Sequence, residues 1–204
     1  MPPEPRGPEE SDRELLQRAA AGDLEAFAAI YRRYQQIVYR FARAMTGSSD
    51  AAEDVTQEVF VGLIVDVARY DPERAAFSTY LYGIVRNVSR DRLRRDRRAL
   101  PIETIALVWR EECTADDPQD RLENAQLAAV IRRALSRLPS RYRELIVLCD
   151  LHGLSYEEAA LVVGASVGAV RSRLHRGRQL LRLRLARVAP AQSRRQMNPA
   201  RCAI

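Results

Sequence analysis

The segment DLEAFAAIYRRYQQIVYRFARAMTG, residues 23–47, limits the fold of this chain more than any other stretch. Phe27, Ile30, Tyr31, Tyr34, Val38, Phe41 and Met45 recur at three- and four-residue steps, which puts them on one stripe of a long helix. Asp23 can cap its start and Gly47 can end it. So much apolar surface on one helical face has to be covered by other elements, and no window of the sequence shows the two-residue alternation of a half-buried strand. The pattern predicts an all-α protein.

The rest of the chain repeats the theme. Ser11 with Glu14 makes a capping box for a short helix that ends near Gly22. Residues 49–69 predict a third helix, with Val55, Val59, Ile64 and Val67 facing inward, stopped by Asp71-Pro72. Ser78 can cap a fourth, on which Leu81, Ile84, Val85 and Val88 point one way and Arg86, Asn87, Arg90 and Arg94 another. Residues 99–123 lack a sustained period, contain Pro101 and Asp117-Pro118, and read as a flexible linker in which Trp109 can anchor a turn. Beyond it a helix over 124–138 ends at Pro139, and Ser140 can cap 141–152. Ser155 with Glu158 forms another capping box, with Tyr156, Ala159, Ala160 and Val163 inward. After Gly164-Ala165, Ser166 can cap a final helix. The organisation expected is a tail (1–11), a helical domain (12–98), an acidic linker (99–123), a second helical domain (124–187) and a C-terminal tail (188–204).

Charge divides the chain in the same way. The net charge is +6 over 204 residues, but residues 1–98 balance 16 arginines with 16 acids, residues 99–123 carry −5, and residues 124–204 carry +11. The C-terminal third is built to face a polyanion. The apolar runs are too short to span a bilayer, and MPPEPRGPEESD lacks the charged-then-apolar order of a signal peptide, so no membrane insertion and a cytoplasmic location are expected. Cys113, Cys149 and Cys202 are odd in number and far apart, which fits a reducing compartment.

Three stretches carry chemistry. In VGAVRSRLHRGRQLL, residues 167–181, Val170, Leu174 and Leu181 form an apolar stripe, while Arg171, Arg173, Arg176 and Arg178 occupy the other faces without a single carboxylate. A capped helix, a short glycine turn and a basic second helix make a helix-turn-helix, whose second helix enters the major groove. Arg171, Ser172, His175 and Arg176 would face outward, where arginine can bond guanine bidentately. Arg178, Arg182 and Arg184 would touch phosphate or a partner. In residues 86–98, seven arginines meet only Asp91 and Asp96, beside Phe77, Tyr80 and Tyr82, a combination suited to holding unstacked bases. In DAAEDVTQEVF, Asp50, Glu53, Asp54 and Glu58 cluster with Gln57. Part of that acidity suits a helix N-terminus, but it cannot face DNA and instead suits a basic protein surface, with Phe60 as an apolar contact or a core residue.

Together these stretches resemble the sigma factors of bacterial RNA polymerase, specifically the two-domain extracytoplasmic-function (ECF) group. DLEAFAAIYRRY resembles the opening of sigma region 2, DAAEDVTQEVF the segment that docks on the polymerase β′ coiled coil, and FSTYLYGIVRNVSRDRLRR the segment that melts and reads the −10 element. LPSRYRELIVLCDLHGLSYEEAALVVGASVGAVRSRLHRGRQLL resembles region 4, which reads the −35 element and touches the β flap. The resemblance implies that Asp50, Asp54, Gln57 and Glu58 bind core polymerase. It implies that Tyr80, Arg86, Asn87, Arg90 and Arg94 serve the −10 element, with Asn87 near a flipped base and the 71–77 loop closing over it. It places Arg171, Ser172, Arg173, His175 and Arg176 at the −35 element. Core RNA polymerase, promoter DNA and an anti-sigma factor are the partners it implies. Tyr80 stands where a tryptophan is usual and Ala169 where a threonine is usual.

No phosphate-cradling glycine loop and no nucleophile–base–acid set points to an enzyme, and no cofactor is expected. Cys149-x-x-His152 has possible metal spacing, but a zinc site needs more ligands. A dimeric helix-turn-helix regulator working without polymerase would account for residues 140–187 yet leave the acidic 50–58 cluster and the basic 86–98 helix unused. A purely protein-binding adaptor would leave the +11 charge unexplained.

Overall fold

The computed structural model describes residues 10–99 and 128–188, and every regular element there is helical. The expected N-terminal tail, the acidic linker with Trp109 and Cys113, and the C-terminal tail with Cys202 lie mostly or wholly outside the described residues.

Capping decides where the first helices begin. In α1 (Asp12–Ala20), Ser11 Oγ accepts from the Glu14 amide, and the Glu14 carboxylate accepts from the Ser11 amide at 3.0 Å. Gly22 takes a left-handed φ of 92°, which turns the chain into α2 (Leu24–Thr46). There Asp23 Oδ1 accepts from the Glu25 and Ala26 amides, and Gly47 closes the helix, also left-handed. The third helix, α3 (Ser49–Asp66), is capped by Ser48 and tightens into a 3₁₀ turn over Val67–Arg69. A loop over 70–76 leads to α4 (Phe77–Ala99).

Helices α1, α3 and α4 all pack on α2. Ile30, Val38, Phe41 and Met45 are completely or almost completely buried. Phe60 belongs to this core, edge-to-face with both Phe27 and Tyr31. At the far end, the Tyr34 hydroxyl donates to Asp12, which also pairs with Arg33 and so ties α1 to α2.

The second body comprises α5 (128–136), α6 (Ser140–Ile146), a π-type continuation over Val147–Leu151, α7 (Tyr156–Val163) and α8 (Val167–Val188). The Ser155–Glu158 capping box opens α7, Gly164 ends it in a left-handed conformation, and Ser166 Oγ accepts from the Ala169 amide to open α8. Helices α6 and α8 cross closely at Gly177, where a Cβ would sit 3.2 Å from Ile146 Cδ1 and 3.3 Å from Tyr142 Cβ. Gly177→Val should therefore lower stability by about 1–3 kcal/mol, overpacking outweighing the gain in helix propensity. Gly62→Ala, with nothing within 4 Å of its Cβ, should gain up to ~1 kcal/mol. Thermal melts of the two variants check both signs.

Four local expectations are corrected. Ile64 is 57% exposed, and Leu63 points inward in its place at 1%. Ser78 lies inside the first turn of α4, which begins at Phe77. Ser140 is the first helical residue of α6; Pro139 holds the cap position, and its carbonyl accepts from Tyr142 and Arg143. On α7, Val162 is the buried valine and Val163 is only half-buried.

The two bodies pack together. Helix α7 lies against α4, and α2 meets both α6 and the π-type turn. Arg86 of α4 donates to Glu144 of α6 at 2.8 Å, the Tyr82 hydroxyl and His152 Nδ1 are 2.8 Å apart, and Arg143 donates to the Met45 carbonyl at 2.6 Å.

Candidate nucleic-acid and protein interfaces

The basic helix is positioned by what it buries. Val170 and Leu174 are fully buried, and with Gly177 they form the seam of α8 against α6 and α7. That turns Arg171, Ser172, His175 and Arg176 outward, all exposed as the periodicity predicts, and Arg173 is exposed as well. Gly168, Arg171, Ser172, His175, Arg176 and Gln179 line a shallow open concavity along this face. The Ser172 hydroxyl donates to the Ala169 carbonyl, which leaves its oxygen to accept from a base amino group. Gln179 bonds to the His175 ring at 3.0 Å and holds it in place.

Arg178 does not belong to this outward set. Its guanidinium grips both oxygens of Asp150, at 3.1 and 2.5 Å, and so fastens α8 to the end of the π-type turn. The expected contact of Arg178 with phosphate or a partner gives way to this internal one.

On α3 the buried side chains Ala52, Val55, Val59, Phe60 and Leu63 turn Asp50, Glu53, Asp54, Gln57 and Glu58 to solvent. The exposed face continues in apolar character. Val61, Ile64 and Val65 are 63%, 57% and 78% exposed. Steps of four, three and four residues join Asp54, Glu58, Val61 and Val65 into one stripe, acidic at its start and apolar at its end. The four- and three-residue spacing of these positions is legible in the sequence, but their exposure follows only from which face of α3 its neighbours cover.

Helix α4 runs beside that stripe. Arg92 reaches Asp54 at 2.9 Å and Arg95 reaches Glu58 at 3.3 Å, so the acidic and basic clusters partly neutralise each other. These pairs are solvent-exposed and contribute little stability. Asn87 and Arg94 are exposed, with Arg94 beside Asp91, and Arg90 is half-buried. Tyr80 is half-buried against Tyr70, with ring centroids 5.4 Å apart; burial, then Asp66, raises its phenol pKa. The Tyr70 hydroxyl donates to the Ala75 carbonyl, and Asp71 accepts from the Glu73 amide, so the loop before α4 is folded onto itself.

Arg86 departs from expectation. It is 9% exposed and faces the second body, bound to Glu144, instead of lying outward with Asn87. His152 also proves to be a contact between the bodies. Desolvation, followed by the charge of Arg40, pushes it down to about 4, so it is neutral at pH 7. Nothing in sequence spacing pointed to Glu144, Arg143 or His152 as such contacts. No group of three or more possible metal ligands occurs among the described residues, and no described helix is long and apolar enough to cross a membrane.

An exposed arginine face on one body and an exposed acidic-then-apolar stripe on the other suit a DNA-binding factor with a protein-docking surface of its own. Comparison with known proteins gives the family. Residues 30–99 match Sigma-70 region 2, and residues 128–181 match Sigma-70, region 4. The chain is 37% identical over 173 residues to the ECF RNA polymerase sigma factor SigE of Mycolicibacterium smegmatis, covering 82% of this chain and 66% of that one. It is 33% identical over 177 residues to the ECF sigma factor SigW of Bacillus subtilis, covering 83% and 94%. Among solved structures, CnrH in complex with the cytosolic domain of CnrY matches with a TM-score of 0.65 and 29% identity, over 88% of this chain and all of that one. RpoE of Bartonella quintana, in complex with the anti-sigma factor NepR, shares the fold at a TM-score of 0.63 and 22% identity, over 80% and 98%. The chain belongs to the ECF sigma factors of RNA polymerase.

Proposed function

We propose that this sigma factor docks on the β′ coiled coil of core RNA polymerase through Asp50, Asp54, Gln57 and Glu58, and reads a two-part promoter with its two helical bodies. The −10 element is held by Tyr80, Asn87, Arg90 and Arg94, joined by Arg86 when Glu144 releases it. The −35 element is read by Arg171, Ser172, Arg173, His175 and Arg176, with the same body against the β flap. An anti-sigma factor is a further partner, on the analogy of CnrH and RpoE, each solved with a bound protein. The setting is cytoplasmic and the role is non-enzymatic.

The observation that carries this reading is the pairing, in one chain, of the acidic-then-apolar stripe of α3 with the exposed arginine face of α8. Each body has room for only a modest DNA contact, since single modules bury about 600–1,000 Å². Holding both on one polymerase surface makes the second contact effectively intramolecular. Capture of an unstacked base beside Asn87 and the Tyr70–Tyr80 rings then favours the melted state.

The test adds purified chain to core polymerase with randomised promoter DNA and sequences the transcripts. Starts at a fixed distance from two separated, enriched motifs are expected. Selection of palindromic DNA by the chain alone, with no gain of initiation by polymerase, would instead support the dimeric regulator.

A further inference from the structure

Two hydrogen bonds inside α8 fix what its neutral outward groups can offer to a base edge. The Ser172 hydroxyl gives its proton to the Ala169 carbonyl at 3.1 Å, so toward DNA its oxygen acts as an acceptor. The second bond settles the state of a histidine. Gln179 lies one helical turn beyond His175, and its side-chain Nε2 is 3.0 Å from the ring Nε2. An amide nitrogen donates and does not accept. The ring nitrogen that meets it is therefore the unprotonated one, and the neutral imidazole carries its proton on Nδ1. A free histidine side chain favours the other tautomer, with the proton on Nε2. Gln179 reverses that preference.

The position of the pair gives the tautomer a consequence. Arg171, His175 and Gln179 follow one another at four-residue steps, and together with Ser172 and Arg176 they line the concavity along the exposed face of α8. His175 Nδ1 has no partner among the described residues. In the major groove guanine offers N7 and O6 as acceptors, adenine N7 and thymine O4, whereas cytosine offers only its N4 amino donor. A histidine held as an Nδ1 donor can bond to the first three. On cytosine it sets donor against donor and leaves both unsatisfied. The opposite tautomer would reverse the choice and favour an amino group.

We propose that Gln179 is a specificity-determining residue that acts through His175. By holding the ring as an Nδ1 donor, it makes the −35 base opposite His175 a purine or thymine and excludes cytosine. This rests on the −35 reading of α8 given above. Gln179 is a positioning residue here. It lies about 12 Å along the helix axis from Arg171, beyond the N-terminal residues that a recognition helix brings to base edges. The guanidiniums of Arg171 and Arg176 donate whatever the tautomer of His175, so the effect of Gln179 is confined to one base position.

The test uses the full chain and two readouts. Its only histidines are His152 and His175, so NMR of isotope-labelled histidine resolves each ring, with His175→Ala giving the assignment. At mildly alkaline pH, where imidazole is neutral, the wild type should carry the His175 proton on Nδ1, and Gln179→Leu should shift it to Nε2. The second readout is transcription with core polymerase across a library of −35 variants. Gln179→Leu should weaken discrimination against cytosine at one position by roughly three- to tenfold and leave the other positions unchanged. Gln179→Lys, whose ammonium also only donates, should keep both the Nδ1 tautomer and the preference. In a His175→Ala background, Gln179→Leu should change nothing further. Both side chains are exposed, so these variants should fold as the wild type does. An Nε2 proton in the wild type, a loss spread evenly over every position, or full additivity of the two substitutions would each overturn the proposal. A wild type that gives no specific transcript would overturn the sigma reading and this base-reading role with it. Specific transcripts whose −35 preference ignores a tautomer shift in Gln179→Leu would overturn the role of Gln179 alone.

Discussion

Asp54→Arg is expected to abolish binding to core RNA polymerase while leaving the helical content of the free chain unchanged and lowering its thermal melt by only a few degrees. Asp54 is exposed on the outer face of α3, away from the core packed by Val55, Val59 and Phe60, and loss of its exposed pair with Arg92 costs about 0.2–1 kcal/mol. In the complex the same change sets a guanidinium against the basic partner surface that the α3 acids imply. Like charges brought together at an interface cost several kcal/mol, so the loss in affinity should be on the order of 100-fold or more. Arg92, 2.9 Å from Asp54, supplies an internal control. Arg92→Ala removes an exposed competitor worth about 0.2–1 kcal/mol, and affinity should rise by no more than a few-fold. Binding of fluorescently labelled protein to core polymerase measures both variants, and normal affinity for Asp54→Arg would refute the docking assignment.

Arg171→Ala and Arg176→Ala should each reduce discrimination between promoter sequences by about 1–3 kcal/mol, or roughly 5- to 150-fold. Both side chains lie on the exposed face of α8, away from the Val170–Leu174 seam. They are therefore available to form bidentate bonds with guanine. The readout is initiation across a library of −35 variants. A loss confined to one position identifies a base contact, while an equal loss on every sequence makes the arginine a phosphate contact. Arg178→Ala should behave differently, lowering the stability of the second body because it unfastens α8 from Asp150.

Nearly all of the local architecture was legible from the residues. The capping boxes at Ser11–Glu14 and Ser155–Glu158 form as written, because their partners are three residues apart and need no help from the rest of the molecule. The outward set on α8 was also legible, since one buried stripe on a helix determines its opposite face. Helix α3 shows where this logic stops. It is apolar on two faces near its C-terminus, and periodicity cannot say which face the neighbouring helices will cover. Leu63 is covered, while Val61, Ile64 and Val65 are left exposed.

The sequence by itself determined the helices, most of their caps and which side chains of α8 and of the first turns of α3 stay exposed, because these depend on interactions within a few residues. Only the tertiary structure decided how those faces meet. Arg86 and Glu144 are 58 residues apart, and Tyr82 and His152 are 70 apart. An arginine on a polar helix face carries the same local signal whether water, DNA or a buried carboxylate will meet it. Its partner is set by how the two bodies pack, and no short-range pattern encodes that.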